Sequence, residues 1–455
     1  MPNVRASHVR GRAAAKAGNV ATSSAIEWAS WIFVLVAVGR IAEVIPILAL
    51  IPLAKITLLV WVILIAKTDR LKTGHTMTIP LARNALWLFV WAVCSVVFSI
   101  WFVASLKFVA INGFLILIAY ILICKSVDGW QSLRKLFVSL VVSAELLSVM
   151  TLLSYTGGRA AFGTMYDTND LAYLLVTMLP LSLSFIATST GLWKIRYLGG
   201  LAVIALAILL TQSRGGVLGL GGILLFVTLF PIPLFSRTAK LHGTVAGVLK
   251  RLVAITLVAV TVWGALPSET RERFATMGSL DSDYNTDQTN LHSRSSIWQR
   301  NLSAVVARPI GFGVGAFPAV DVRNGGVFMT AHNSLVLIAV ELGVIGIVLY
   351  MRMYYLAWRA MSSLQKDIGD LTVDARARKI FARAIQACLI GNFISGFFLS
   401  MSYSYVLWIL MAASTAFVDT LDADTSDHGS KDSSGRRGVK ESRRLPRQKV
   451  RGAGV

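Results

Sequence analysis

Three short polar clusters interrupt otherwise apolar stretches, and each carries residue types that can hold or activate an anionic substrate. The first is Gly163-Thr-Met-Tyr-Asp-Thr-Asn-Asp170, the second Ser213-Arg214-Gly215-Gly216, the third Ala331-His332-Asn333-Ser334. An arginine followed by two glycines can bring a guanidinium close to backbone amides and grip phosphate oxygens through its forked face. The same residues also suit an interfacial arginine snorkelling beside a small-residue packing face, here Gly215 to Gly219. A histidine opening an apolar run can act as a general base, kept neutral by a helix N-terminus. It can equally be a helix-end histidine with Asn333 as the cap. Arg294, with Trp298 one turn on, is either a ligand arginine or a solvated loop arginine. Arg300, Arg308 and Arg323 read as solvated; Arg159, Asp167, Asn169 and Asp170 can cap the helix that follows, with Asn169 and Asp170 the favoured caps.

The elements that would position these clusters follow from composition. Of 455 residues, 55% are hydrophobic and 15% charged, where a soluble domain carries about a quarter charged. The long apolar runs exclude disorder throughout and a soluble enzyme. They are continuous rather than alternating, so the expected fold class is all-α, a polytopic membrane helical bundle, and not a β-barrel. Twelve spans are expected near 23–39, 47–66, 86–104, 108–124, 136–154, 170–189, 196–211, 215–234, 249–266, 333–351, 384–400 and 403–419. Most are long enough to cross a hydrocarbon core of ~30 Å.

Charge then sets the orientation. The formal net charge is +21. With the N-terminus inside, 33 of the 44 Lys and Arg lie on the inner side and 10 on the outer, with Lys55 inside a span. That asymmetry obeys the positive-inside rule, so the net charge is a topology signal and no nucleic-acid partner is expected. The organisation expected is a basic cytoplasmic arm at 1–22, a transmembrane domain at 23–419 with an outer loop at 267–332, and a disordered basic tail at 420–455 in contact with membrane lipids. The sixth, eighth and tenth spans then all start on the outer side, where their N-termini and the three polar clusters would form an anion-binding cavity. A lipid-carrier phosphate is the obvious anion at that depth.

Other residues read as structural. Cys94, Cys124 and Cys388 lie in or beside apolar runs without a CxxC pair and read as buried thiols. Glu145 and Glu341 fall within spans, where buried pairing is favoured. Ser293 to Ala307 is an amphipathic piece in which Ile297, Trp298, Leu302, Val305 and Val306 share a face. Gly311 to Gly315 reads as a turn, and Gly343 and Gly346 as sites of close helix contact. Asp281-Ser-Asp283 is a weak match to metal-nucleotide glycosyltransferases. No metal or cofactor is expected.

Taken in order, these pieces resemble the O-antigen ligase and polysaccharide polymerase superfamily of bacterial inner membranes. Arg159, Asn169 and Ala172, with Gly163 one residue further on than that family's spacing, are similar to its RxxG…NxxA segment, and Ser213 to Gly216 to its SRGG. Arg294, Trp298, Pro309, Gly311 and Gly313 resemble its R…W…PxGxG stretch. His332-Asn333 followed by Gly343 and Gly346 resembles its H-[N/S/Q]-x9-GxxG signature. The resemblance implies a lipid-dependent glycosyltransferase fold and transfer of a glycan from undecaprenyl pyrophosphate, on the periplasmic side and without metal. The acceptor would be lipid A core or another glycan. It further implies that Arg214 and Arg294 hold the pyrophosphate and that His332 activates or positions the acceptor. Arg159, Asn169, Gly215, Gly216, Asn333 and Trp298 would be supporting substrate-binding residues. A polymerase of the same superfamily is the alternative within this class. A lipid-linked oligosaccharide flippase is the alternative outside it, but no internal symmetry of broken helices is visible.

Reporter fusions should place the 267–332 segment outside and the 237–251 segment inside; both on one side would overturn the orientation.

Overall fold

The computed structural model describes residues 23–71, 74–163, 166–233, 245–275, 290–367 and 372–421. The basic arm at 1–22, the tail from 422 onward and Asp281-Ser-Asp283 lie outside these residues.

Among the described residues there are helices and one isolated bridge, Phe162 to Tyr166, but no strand. In chain order the helices are α1 (Ser23–Ala37), α2 (Leu53–Ala66), α3 (Pro80–Val97), α4 (Phe102–Ser126), α5 (Trp130–Leu153), α6 (Thr168–Thr188) and α7 (Gly191–Leu210). There follow α8 (Arg214–Leu229), α9 (Val245–Ala265), α10 (Ser268–Ala275), α11 (Arg294–Ala307), α12 (Phe317–Arg323), α13 (Ser334–Asp367), α14 (Val373–Gly396) and α15 (Tyr405–Leu421). Seven helices are long and apolar enough to span a membrane, and four shorter ones are apolar. The chain is an all-α polytopic membrane protein, and each of the twelve expected spans falls on a helix.

The centre is α6, buried at every position from Leu171 to Ile186. It packs against α14 and α7, and α14 also packs against α8 and α13. Small residues allow these approaches. A Cβ at Gly219 would fall 3.0 Å from Val176 of α6 and 3.1 Å from the Gly391 carbonyl of α14. Polar side chains join the same helices. Asn392 of α14 donates to Tyr173 (2.8 Å) and Thr177 (3.1 Å) of α6 and accepts from Tyr354 of α13 (2.6 Å). Inside a bilayer such satisfied bonds hold helices where the hydrophobic effect between them is weak. Glu145 of α5 pairs with Arg196 of α7, its Oε1 2.9 Å from Nη1, which is the structural pairing expected of it. Cys124 and Cys388 are buried, but Cys94 lies on the exterior surface of α3, so burial holds for two of the three thiols.

Two boundaries depart from expectation through tertiary contacts. The turn after α3 falls at Phe98–Trp101 rather than near 105, because Ile100 N donates to the Phe312 carbonyl (3.0 Å) and Ser99 packs on Gly313. Lys107 therefore sits inside α4, which carries a π turn at Val109–Gly113. Helix α13 runs to Asp367, well beyond 351, because Met353, Ala357, Met361 and Leu364 continue a buried stripe at helical spacing.

The main departure is inside α13. Gly343 adopts φ 65° and ψ −160°, which breaks the helix after Leu342. The segment 309–313 fills the break. Phe312 N and Gly313 N donate to the Val340 and Glu341 carbonyls at 2.9 Å each, Val344 N donates to the Pro309 carbonyl (2.8 Å), and the Trp91 indole donates to the Leu342 carbonyl (2.7 Å). Every freed carbonyl of the break thus has a donor, which apolar surroundings demand. The Glu341 carboxylate beside the break accepts from Phe317 N at the start of α12 (3.3 Å) and from the Tyr403 hydroxyl (2.9 Å). A Cβ at Gly343 would meet the Pro309 oxygen at 2.1 Å, and one at Gly311 the Glu341 oxygen at 2.5 Å. Gly343 therefore serves a loop threaded through a helix break and not a helix–helix contact, and Gly311 to Gly315 is more than a turn.

A second apolar cluster fastens the outer segments to α13. It contains Ile297, Phe312, Phe317, Val320, Ala331, Val336, Leu337 and Val340. Helix α11 reaches it through Ile297, Trp298 and Val305, while Leu302 and Val306 remain exposed, so the expected apolar stripe is divided. Two arginines expected to be solvated are engaged. Arg300 pairs with the fully buried Asp321 at 3.1 Å, and Arg308 donates to the Phe98 carbonyl at 2.6 Å. Arg323 is exposed, as expected.

Gly343→Ala should lower stability by at least about 2 kcal/mol, because this combination of φ and ψ is one that essentially only glycine adopts and costs other residues ~1–3 kcal/mol before any clash. Gly325→Ala, also at positive φ (82°) but with open space around it, should show the backbone cost alone. Thermal unfolding in detergent distinguishes the two; equal shifts would contradict the threaded break.

Candidate functional site

The three polar clusters meet at one end of the bundle. Helix α8 begins at Arg214, capped by Ser213, whose Oγ accepts from Gly216 N at 3.3 Å. A Cβ at Gly216 would fall 2.7 Å from the Ala172 Cβ of α6, and one at Gly215 3.0 Å from Phe398 just after α14. These two glycines therefore seat the start of α8 against α6 and α14. Phe398 stacks edge-on with Phe397 (5.4 Å), and Phe397 with Trp298 of α11 (5.5 Å). The Trp298 indole donates to the Ala331 carbonyl at 2.8 Å. A continuous chain of contacts thus runs from the Arg214 helix start to the residue preceding His332.

His332 itself is left-handed, with φ 47°, an uncommon state for a residue with a side chain and costing about 1–2 kcal/mol. The turn is held on both sides. Asn333 is buried, and its Oδ1 accepts from Leu335 N (2.8 Å) and Val336 N (3.1 Å), capping α13. Ser334 Oγ donates to the Leu399 carbonyl (2.7 Å) and accepts from Met401 N (3.0 Å). Arg294 is the first residue of α11, behind its cap Ser293.

The segment before α6 completes the cluster. Asp167, not Asn169 or Asp170, is the cap of α6, its Oδ1 accepting from Asn169 N (2.7 Å) and Asp170 N (2.8 Å). Asn169 instead accepts from Arg159 Nη2 at 2.8 Å, and Arg159 Nε donates to the Thr211 carbonyl at 3.3 Å. Arg159 is thereby fixed beside the turn that carries Arg214. Arg40 lies over the Tyr166 ring at 4.9 Å, and Glu43 fills the space that Gly163 leaves, so the loop after α1 braces this segment.

Electrostatics ties these residues together. Burial lowers the His332 pKa from its usual range; the Arg294 charge lowers it further, and Asp167 opposes. The imidazole is therefore neutral at pH 7, as a proton acceptor must be. Arg159 is exposed as a residue, but its guanidinium is packed by protein. That desolvation and then the Arg273 charge lower its pKa; Asp167 opposes and Arg294 adds to the lowering. The direction records burial first and neighbouring cations second, and the guanidinium itself stays charged. The sequence offers Asp167 among the candidate caps of α6 but favours Asn169 and Asp170, and it assigns no role to the Thr211-Gln212 turn. Among the described residues no cluster of metal-ligating side chains occurs.

Residues 199–351 match the family model described as O-antigen ligase. The match spans about a third of the chain. The matched stretch runs from α7 into α13 and contains Arg214, Arg294, Trp298 and His332, together with the Gly311–Gly343 crossing. Arg159, Asp167 and Asn169 lie before it and are brought to the matched stretch by the fold. No curated protein matches the chain.

Asp167→Asn keeps a capping side chain but removes the charge that raises the His332 pKa. A direct titration of the imidazole should move to lower pH in this variant, and to higher pH in Arg294→Gln. Unchanged titration in both would separate His332 electrically from this cluster.

Proposed function

We propose that this protein transfers a glycan from undecaprenyl pyrophosphate to an acceptor hydroxyl, lipid A core or another glycan, at the periplasmic face of the bacterial inner membrane. The observation that carries the reading is that Asp167 and Arg294 both act on Arg159 and on a neutral His332, at the end of the bundle where α8 starts with Arg214. Support for the orientation comes from the Lys and Arg asymmetry, which puts this end outside and both termini in the cytoplasm.

The chemistry follows from the groups present. The acceptor oxygen attacks the anomeric carbon, and the bond from that carbon to the pyrophosphate oxygen breaks, its electron pair leaving with the pyrophosphate. His332 takes the acceptor proton and later releases it to water. Arg214 and Arg294 neutralise charge that grows on the leaving pyrophosphate, and fixed donors at that point lower the barrier. Arg159 adds a third cation, oriented by Asn169. Trp298, Asn333, Gly215 and Gly216 serve by placing His332 and Arg214 through an indole bond, a helix cap and two close approaches.

Arg214→Ala, Arg294→Ala and His332→Ala should each reduce transfer by about 100-fold or more, the scale of losing one stabilising donor or base, with membrane levels unchanged. Arg214→Lys should also be poor, since an ammonium cannot make a forked contact. The assay is reconstitution with defined lipid-linked donor and candidate acceptors, followed by product sizing. A single addition indicates a ligase and a ladder a polymerase. Intact donor on the opposite leaflet, or full activity of all three alanine variants, would overturn the assignment.

A further inference from the structure

Arg273 belongs to α10, an eight-residue helix outside every motif that the sequence analysis used. Two of its side chains, one turn apart and so on one face, dock it to the turn that precedes Arg214. Thr270 is fully buried, and its hydroxyl accepts from Gln212 Nε2 at 3.1 Å. Arg273 Nε donates to the Gln212 carbonyl at 3.1 Å. Gln212 is left-handed, with φ 53°, and its amide also donates to the Gly158 carbonyl at 2.8 Å. Arg159 grips the adjacent Thr211 carbonyl from the segment before α6. Two guanidinium groups from distant parts of the chain therefore bracket one turn, and that turn launches α8 with Arg214 at its first position.

Building this arrangement costs electrostatic free energy. Arg273 is the strongest charge acting on Arg159, and Arg294 acts on both Arg159 and His332. A ligand of high negative charge converts the repulsion into attraction. A diphosphate, with two phosphoryl groups, also offers enough acceptor oxygens to engage several guanidinium groups at once.

We infer that Arg273 is a further diphosphate-binding residue, placed beside Arg159 and Arg214 by the docking of α10 on the Thr211-Gln212 turn. This rests on the transferase reading for the identity of the ligand, but the site can be probed with inorganic pyrophosphate alone. In the full chain, Arg273→Gln should weaken pyrophosphate binding by about tenfold or more, in line with ~1.5–3 kcal/mol for a hydrogen bond to a charged group. It should also raise KM for the lipid-linked donor more than it lowers kcat. Arg273→Lys should recover part of the affinity and keep its salt dependence. Thr270→Val loosens the docking of α10 without removing charge, and should leave pyrophosphate affinity within about twofold. Wild-type pyrophosphate affinity in Arg273→Gln would overturn the proposal, and so would equal losses in Thr270→Val and Arg273→Gln. If pyrophosphate binding depends on Arg273 while the wild-type protein transfers no glycan, the anion site stands and the transferase reading falls.

Discussion

Groups of like charge repel, and this bundle holds four arginines and a histidine at one end of an apolar scaffold. Each is tied individually to the backbone or to a helix start. Arg159 is fixed by the Thr211 carbonyl and Asn169, Arg273 by the Gln212 carbonyl, and Arg294 and Arg214 by the capped starts of α11 and α8. Helix starts are already positive, so this placement adds to the field instead of relieving it. Asp167 opposes that field at Arg159 and at His332. The arrangement is reasonable for a molecule that meets its counter-charge as a substrate.

Apolar surroundings impose a second constraint, that irregular backbone be fully hydrogen-bonded. Breaking α13 at Gly343 frees carbonyls at Val340, Glu341 and Leu342, and the threaded segment 309–313 with Trp91 supplies their donors. Because that segment leads from α11 into α12, the break also fixes the outer helices relative to His332. Glu341 reinforces the crossing through Phe317 and Tyr403. The crossing and the site are thus one mechanical unit, joined by Trp298 and the apolar cluster around Ile297 and Val336.

Much of this was legible beforehand where local chemistry decides it. The apolar runs marked the long apolar helices, though not the short α10 and α12, and the three polar clusters do open α6, α8 and α13. What escaped were features set by contacts between distant segments. Asp167 caps α6 in place of Asn169 because Arg159 claims Asn169. Arg300 and Arg308 look solvated in the chain, yet a buried carboxylate and a loop carbonyl engage them. The turn after α3 is displaced by its pairing with Phe312.

The sequence by itself determined that the chain is a helical membrane protein, and it marked which residues could handle an anion, because burial of apolar side chains and helix starts depend on local composition and spacing. Tertiary structure alone decided that Arg159, Asp167, Arg273, Arg294 and His332 act on one another, and that Gly343 opens a helix to a passing loop. Electrostatic coupling and backbone-to-backbone approach depend on distance in space, which separation along the chain does not encode.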